Sequence, residues 1–288
     1  MSDCLLRFEN YLKDKKTSSK NTLASYLRDV GFFMDFLSSK GLKSPGEADE
    51  KIISEYASEL KNRGKSLTTI SRSVSSIRCF YRFLVQNGDV KSNPARDIKI
   101  EKTQKKPPQV LDGNEITRLL SVPELTEPRG CRDKAMLELL YSTGIKVSEL
   151  IELNVSDINL RTGTLYCGNG KNLRSIPVKT SALVAVSDYI FRMRSLMVDS
   201  DDNNALFVNL NGCRLTRQGF WKIVKGYAKS AKINKELTPQ VLRHSFALHL
   251  LESGKNVKDI QAMMGHADIS STQVYLQLLD NTEKKVYN

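Results

Sequence analysis

The side chains best suited to metal, redox or nucleophilic chemistry are three histidines (His244, His249, His266), five cysteines and the tyrosine Tyr275. Cys4, Cys79, Cys131, Cys167 and Cys213 are odd in number, widely spaced and without a C-x-x-C pair. That argues against a disulfide framework and a thiolate zinc site, and for free thiols in a reducing compartment. His249 follows His244 by five residues, about 140° round a helix, so the two cannot form a helical metal pair and a zinc hydrolase is excluded on that geometry. His244 stands four residues after Gln240, about 40° round, so those two can share a side. A supporting or packing role suits His244 better than replacement of a missing catalytic group. A tyrosine in a helix ordinarily packs through its ring, which is the plain reading of Tyr275.

The elements that must position these groups are mostly helical. Thr22 to Leu37 places Leu23, Tyr26, Leu27, Val30, Phe33, Met34 and Leu37 on one stripe, in steps of three and four that no strand produces. A shorter helix precedes it around Leu5 to Lys13, and Gly41 and Pro45 end it. Ile52, Ile53, Tyr56 and Leu60 mark a third helix, closed by Gly64. Ser66 is an N-cap for a fourth, whose core face is Ile70, Val74, Ile77, Tyr81 and Leu84. Another face of that helix carries Arg72, Arg78 and Arg82 among serines, readable as solvated charge or as a surface that tracks a polyanion. Asn93-Pro94 ends the bundle, and the basic, proline-terminated stretch 93–108, with Lys105 and Lys106, reads as an extended linker between domains 1–92 and 109–288.

Beyond it, Asp112 and Glu115 form a capping box. A helix from about Arg132 to Tyr141 stops at Gly144. Thr164-Leu165-Tyr166-Cys167 and Arg174-Ser175-Ile176-Pro177 flank a Gly-rich turn and predict a hairpin. Helix resumes over Ala182 to Met197, a brief strand is expected at Leu206-Phe207-Val208, and helices start near Thr216 and at the Thr238-Pro239 cap. The fold class is therefore mainly α: an N-terminal four-helix domain, then a mixed but mostly helical domain with a small β-sheet.

Lys and Arg total 44 against 32 acids, a net charge of +12, which favours a polyanionic partner through counterion release. No apolar run reaches the roughly 18 to 20 residues that span a bilayer, and the N-terminus lacks a signal-peptide pattern, so a cytosolic protein is expected.

Four segments resemble the tyrosine recombinase (phage integrase) family, in particular its Xer-type members: TGIKVSEL (143–150), GNGKNLRSIP (168–177), TPQVLRHSFALHLLESG (238–254) and MMGHADISSTQVYLQ (263–277). SSKNTLASYLRDVGFFMDFL (18–37) resembles that family's N-terminal SAM-like, DNA-clamping domain. The resemblance implies cleavage and rejoining of duplex DNA through a 3′-phosphotyrosyl intermediate, with no metal or nucleotide cofactor. Such chemistry needs cationic donors for the charge building on the phosphate, an acid for the leaving 5′-oxygen and an in-line nucleophile. By resemblance, Tyr275 is the nucleophile, Arg243 the second arginine of the phosphate clamp and His266 a phosphate donor.

Three positions depart from the family pattern. The first arginine is Lys146, whose point charge cannot reproduce a bidentate guanidinium. The hairpin lysine that serves as acid is Asn169, and Lys171, two residues on, is a substitute if strand alternation persists. The histidine three residues before Arg243 is Gln240, which hydrogen-bonds but cannot titrate. Arg72, Arg78, Arg82, Lys105, Lys106 and Arg174 are candidate DNA contacts. Trp221, flanked by Phe220 and Ile223, is expected to pack the core rather than stack on bases.

The resemblance also implies a tetramer on two DNA sites, with a second recombinase as a possible partner. Leu276, Leu278 and Leu279 are either an anchor on a neighbouring protomer or a closure of the chain's own core. Beside a recombinase, two readings stay open: a DNA-binding regulator on the same scaffold, and a basic helical interaction protein without DNA affinity.

Overall fold

The computed structural model describes residues 2–14, 20–100, 107–198, 203–265, 272, 274–276 and 278–279, with the backbone alone at 2, 20 and 171. The chain divides into two compact units, Met1–Lys105 and Lys106–Asn288.

In the first unit the apolar stripes become α1 (Ser2–Asp14), α2 (Lys20–Ser39), α3 (Glu50–Asn62) and α4 (Leu67–Gln86). Asp49 and Ser66 cap α3 and α4 by accepting from Ile52 N and Thr69 N, which satisfies amide groups left over at a helix start. Phe8, Phe33, Phe80 and Tyr81 fill the core, with the Tyr81 hydroxyl donating to the Pro45 carbonyl at 2.8 Å.

The linker expectation changes here. Residues 93–98 belong to this unit, because Ala95 and Ile98 are buried against the bundle and Arg78 of α4 donates to the Ala95 and Ile98 carbonyls at 3.0 and 2.9 Å. Lys105 and Lys106 lie outside the described residues.

The second unit holds α5 (Gly113–Ser121), α6 (Pro128–Thr143), α7 (Val147–Glu152), β1 (Ile158–Asn159), β2 (Thr164–Cys167), β3 (Arg174–Pro177), α8 (Thr180–Asp188), α9 (Arg217–Ser230), α10 (Pro239–Glu252) and α11 (Val257–Met264). The expected Asp112–Glu115 capping box opens α5. The predicted hairpin forms, with Cys167 opposite Arg174 and Leu165 opposite Ile176, and β1 adds antiparallel to β2. The sheet packs its Leu165 and Ile176 face into the cluster that surrounds α6, and α6 and α10 are buried over most of their surface. Among the described residues no helix is long and apolar enough to cross a membrane.

Two sequence expectations fail locally. Helix α8 stops at Asp188 and continues as a π-turn, 189–193, then a tight turn, 194–196. The wider turn leaves Tyr189 stacked on Phe207, centroids 5.8 Å apart, while Arg194, five residues on, donates to the Ala205 carbonyl at 3.0 Å. Residues 206–208 are buried but form no strand. Their backbone groups are satisfied one at a time, Leu206 N by Leu153 O at 2.9 Å and Phe207 O by Leu215 N at 3.0 Å, instead of through a ladder.

Candidate functional site

Thr238 caps α10 by accepting from Val241 N, and Pro239 occupies its first turn, so the sequence starts this helix where it must to bring Gln240, Arg243 and His244 to one end of the unit. Arg243 is only 7% exposed. Its Nη1 donates to the Gly144 carbonyl and its Nη2 to the Met264 carbonyl, the latter at 2.6 Å. Gly144 is the left-handed C-cap of α6 and Met264 ends α11. A buried guanidinium is thus held between the negative ends of two helix dipoles. Burial lowers its pKa to about 10, with Glu149 acting the other way, so it stays cationic at neutral pH.

The end of α11 collects further cations. Arg174 Nε donates to the Met263 carbonyl at 2.8 Å, and Lys146 Nζ lies 3.5 Å from the Gly265 carbonyl. Gly265 adopts a left-handed φ of 63°, which favours glycine, and an added Cβ there would come within 2.8 Å of the Arg174 guanidinium and displace it. Arg174 also grips Glu149 through both terminal nitrogens. Three of its five N–H groups are thereby committed to the protein itself, an anchoring that its reading as a candidate DNA contact did not include. Arg72 and Arg78 are likewise anchored within their own unit: Arg72, which stays exposed, makes a two-pronged bond to buried Asp29, at 3.0 and 2.8 Å, and Arg78 holds residues 95–98. Arg82 is exposed, as a contact residue needs to be.

Tyr275 is 2% exposed, its ring packed among Phe246, Ala247, Leu251, Ile260 and Met264. Its hydroxyl lies 2.6 Å from His244 Nδ1. Burial raises the phenol pKa while the Arg243 guanidinium lowers it, the net shift being upward. Burial, reinforced by Arg243, pushes the His244 pKa down. His244 thus has a direct partner in the Tyr275 hydroxyl, a pairing hidden in the sequence by a separation of 31 positions. Leu278 packs on this same cluster of its own chain, whereas Leu276 is exposed.

A cavity of about 830 Å³ opens beside this cluster, lined in part by Lys146, Arg217, Trp221, Gln240, Arg243 and His244. Among the described residues its lining holds three Lys or Arg side chains and no carboxylate, so its field favours an anion. Trp221 overturns the core-packing expectation: it is 39% exposed on this cavity, with Lys225 Nζ 4.2 Å from the ring centroid, and Phe220 supplies the buried face of α9 instead. Asn169 is exposed in the hairpin connection, and 170–172 form a tight turn, so strand alternation does not carry through to Lys171. The Lys171 side chain and all of His266 lie outside the described residues. No group of three or more His, Cys, Asp or Glu suited to a metal ion occurs among the described residues.

Comparison with known proteins adds a lineage to this geometry. The phage integrase family matches residues 109–282, and the phage integrase N-terminal SAM-like domain matches residues 5–88. Tyrosine recombinase XerD of Staphylococcus epidermidis is 38% identical over 288 residues, 100% of this chain and 98% of its own. XerD of Oceanobacillus iheyensis is 42% identical over 283 residues, 97% and 95% of the two chains. Among solved structures, XerH site-specific recombinase bound to palindromic difH substrate matches with a TM-score of 0.76 at 20% identity, covering 92% of this chain and 78% of that one. XerA recombinase matches with a TM-score of 0.56 at 25% identity, covering 99% and 97%.

Proposed function

We propose a function from one premise: the chain belongs to the phage integrase family of tyrosine recombinases. It is a site-specific recombinase that cuts and rejoins duplex DNA through Tyr275. The observation that carries this reading is the Tyr275 hydroxyl, 2.6 Å from His244, which together with buried Arg243 lines a cavity that has no carboxylate among its described lining residues. The phenolic oxygen attacks a backbone phosphorus, forming a 3′-phosphotyrosyl bond and releasing a 5′-hydroxyl, which in turn reseals the strand. Arg243, preorganised by two helix ends, and Lys146 stabilise the charge on the non-bridging oxygens. Gln240 adds a neutral hydrogen bond and His266 a further phosphate donor, and Lys171, carried by the 170–172 turn instead of by strand alternation, replaces Asn169 as acid for the leaving oxygen.

The N-terminal unit grips the duplex from its Arg82 face, and the working assembly is a tetramer on two DNA sites in the cytosol, alone or with a second recombinase. A nicked suicide substrate tests the chemistry. The expected outcome is a covalent protein–DNA adduct in the wild type and none in Tyr275→Phe, with duplex affinity unchanged.

A second reading is favoured by a specific observation. Lys146, Asn169 and Gln240 are all exposed and none reproduces the group the family carries there. A DNA-binding regulator on the recombinase scaffold predicts salt-sensitive duplex binding without any adduct.

A further inference from the structure

We propose that His244 is the proton acceptor for Tyr275: its Nδ1 takes the phenolic proton as the oxygen attacks phosphorus and returns it when the strand is resealed. This assignment rests on the cleavage reading above. The 2.6 Å approach is that of a hydrogen bond already formed, and among the described residues His244 is the one hydrogen-bond partner of that hydroxyl. No reorganisation is needed to begin the transfer.

The chemistry requires such a group. The Tyr275 phenol is pushed above its ordinary value, so it is protonated at neutral pH and a weak nucleophile until a base relieves it. His244 is pushed below its ordinary value, so its ring is neutral and has a free lone pair at the same pH. Gln240, one turn earlier on α10, cannot accept a proton. Among the described residues the charged groups that line this cavity with His244 are Arg243, beside it on α10, Lys146 and Arg217, all cationic, while Tyr275 approaches from the C-terminal segment. With no carboxylate among them, the imidazolium is not stored. It forms as the Tyr275 O–P bond forms and the P–O5′ bond breaks, the leaving oxygen taking its proton from Lys171, the acid of the cleavage reading. In the reverse step the 5′-hydroxyl attacks and gives its proton back to Lys171, while the Tyr275 O–P bond breaks and the imidazolium hands its proton back to the phenolic oxygen.

His244→Asn keeps a hydrogen-bonding group near the position of Nδ1 but removes the basic lone pair. On saturating nicked duplex, the wild-type rate of adduct formation should rise with pH through the His244 titration and then level. The Asn variant should be slower on the order of 10²–10⁴-fold, as loss of a general base predicts, and should keep rising with hydroxide. His244→Gln guards against a folding defect in one variant. In ¹⁵N-histidine spectra of the free protein, His244 Nδ1 should resonate as an unprotonated nitrogen and shift in Tyr275→Phe. A wild type that forms adduct while both variants keep its rate and pH profile overturns the assignment alone, as does a protonated Nδ1. A wild type that forms no adduct overturns the cleavage reading and this assignment with it.

Discussion

Arg174 and Glu149 face each other through two parallel hydrogen bonds of 2.9 Å each, across 25 residues of sequence. Glu149 also accepts from Lys146 N at 2.8 Å, so one carboxylate orients the start of α7 and the clamp on the end of α11. Burial raises the Glu149 pKa, but the Arg174 bonds and the Lys146 amide outweigh it and the net shift is downward. A depressed folded-state pKa contributes stability that is present above the unfolded carboxylate value, near 4.3, and is lost as pH falls through the folded value. Glu149→Gln should therefore cost about 1.5–3 kcal/mol at pH 7, the usual worth of hydrogen bonds to a charged group. Urea melts should show that difference shrinking as pH falls from about 5 toward 3. A gap that stays constant with pH would mean that the carboxylate charge is not what holds Arg174.

Gly144 joins conformation to function at a single residue. Its φ is 61°, and an added Cβ would lie 2.2 Å from the Phe246 ring, while its carbonyl receives Arg243. Gly144→Ala combines a left-handed backbone penalty with overpacking, and about 2–4 kcal/mol is expected in a denaturant titration. Because the carbonyl is displaced with the backbone, adduct formation at temperatures where the variant remains folded should fall by at least ~10-fold. Stability loss with full activity would show that the α6 C-cap does not position Arg243.

Much of this arrangement was legible before any coordinate. The stripes of α2 and α4, the Ser66, Asp112 and Thr238 caps and the 164–177 hairpin are local signals, set by residues three or four apart or by strand alternation. What stayed hidden has the opposite property. The partners that anchor Arg72, Arg78 and Arg174, namely Asp29, residues 95–98 and Glu149, lie 17 to 43 residues away. Trp221 sits between buried Phe220 and half-buried Ile223, and only the packing of α9 decides that its ring faces the cavity. The His244–Tyr275 bond was hidden for the same reason, although the placement of His244 one turn after Gln240 pointed to the correct side of α10.

The three departures from the family pattern lead to a gain-of-function experiment. Lys146 Nζ reaches the Gly265 carbonyl only at 3.5 Å, so a guanidinium has room to take that carbonyl with one nitrogen and a phosphate oxygen with another. Gln240 faces the same cavity, where a histidine can carry charge. If each oxyanion donor is worth roughly 2.7–4 kcal/mol, with incomplete additivity, Lys146→Arg, Asn169→Lys and Gln240→His together should raise the adduct rate on the order of 10²–10⁴-fold. Single-turnover trapping on a site with confirmed binding measures this. No increase would remove these residues from the site and favour the regulator reading.

The N-terminal unit carries anchored and unanchored arginines on one helix. Arg82 is exposed and has no hydrogen bond or ion pair among the described residues, whereas Arg72 engages Asp29 and Arg78 holds the 95–98 segment. Arg82→Ala should leave the urea midpoint within about 0.5 kcal/mol of wild type, as surface substitutions do. Its duplex affinity should fall uniformly across sequences, with the slope of log K against log salt shallower by about 1, the mark of one lost phosphate contact. Asp29→Ala should do the reverse. Removing the buried partner of Arg72 and Ser76 costs about 1.5–3 kcal/mol of stability, yet it frees a half-exposed guanidinium, so the salt slope at folded concentrations should stay the same or steepen. Gel-shift titrations at several salt concentrations, paired with melts, separate the two. If Arg82→Ala leaves the salt slope untouched, the exposed side of α4 is not the face that meets the backbone of the duplex.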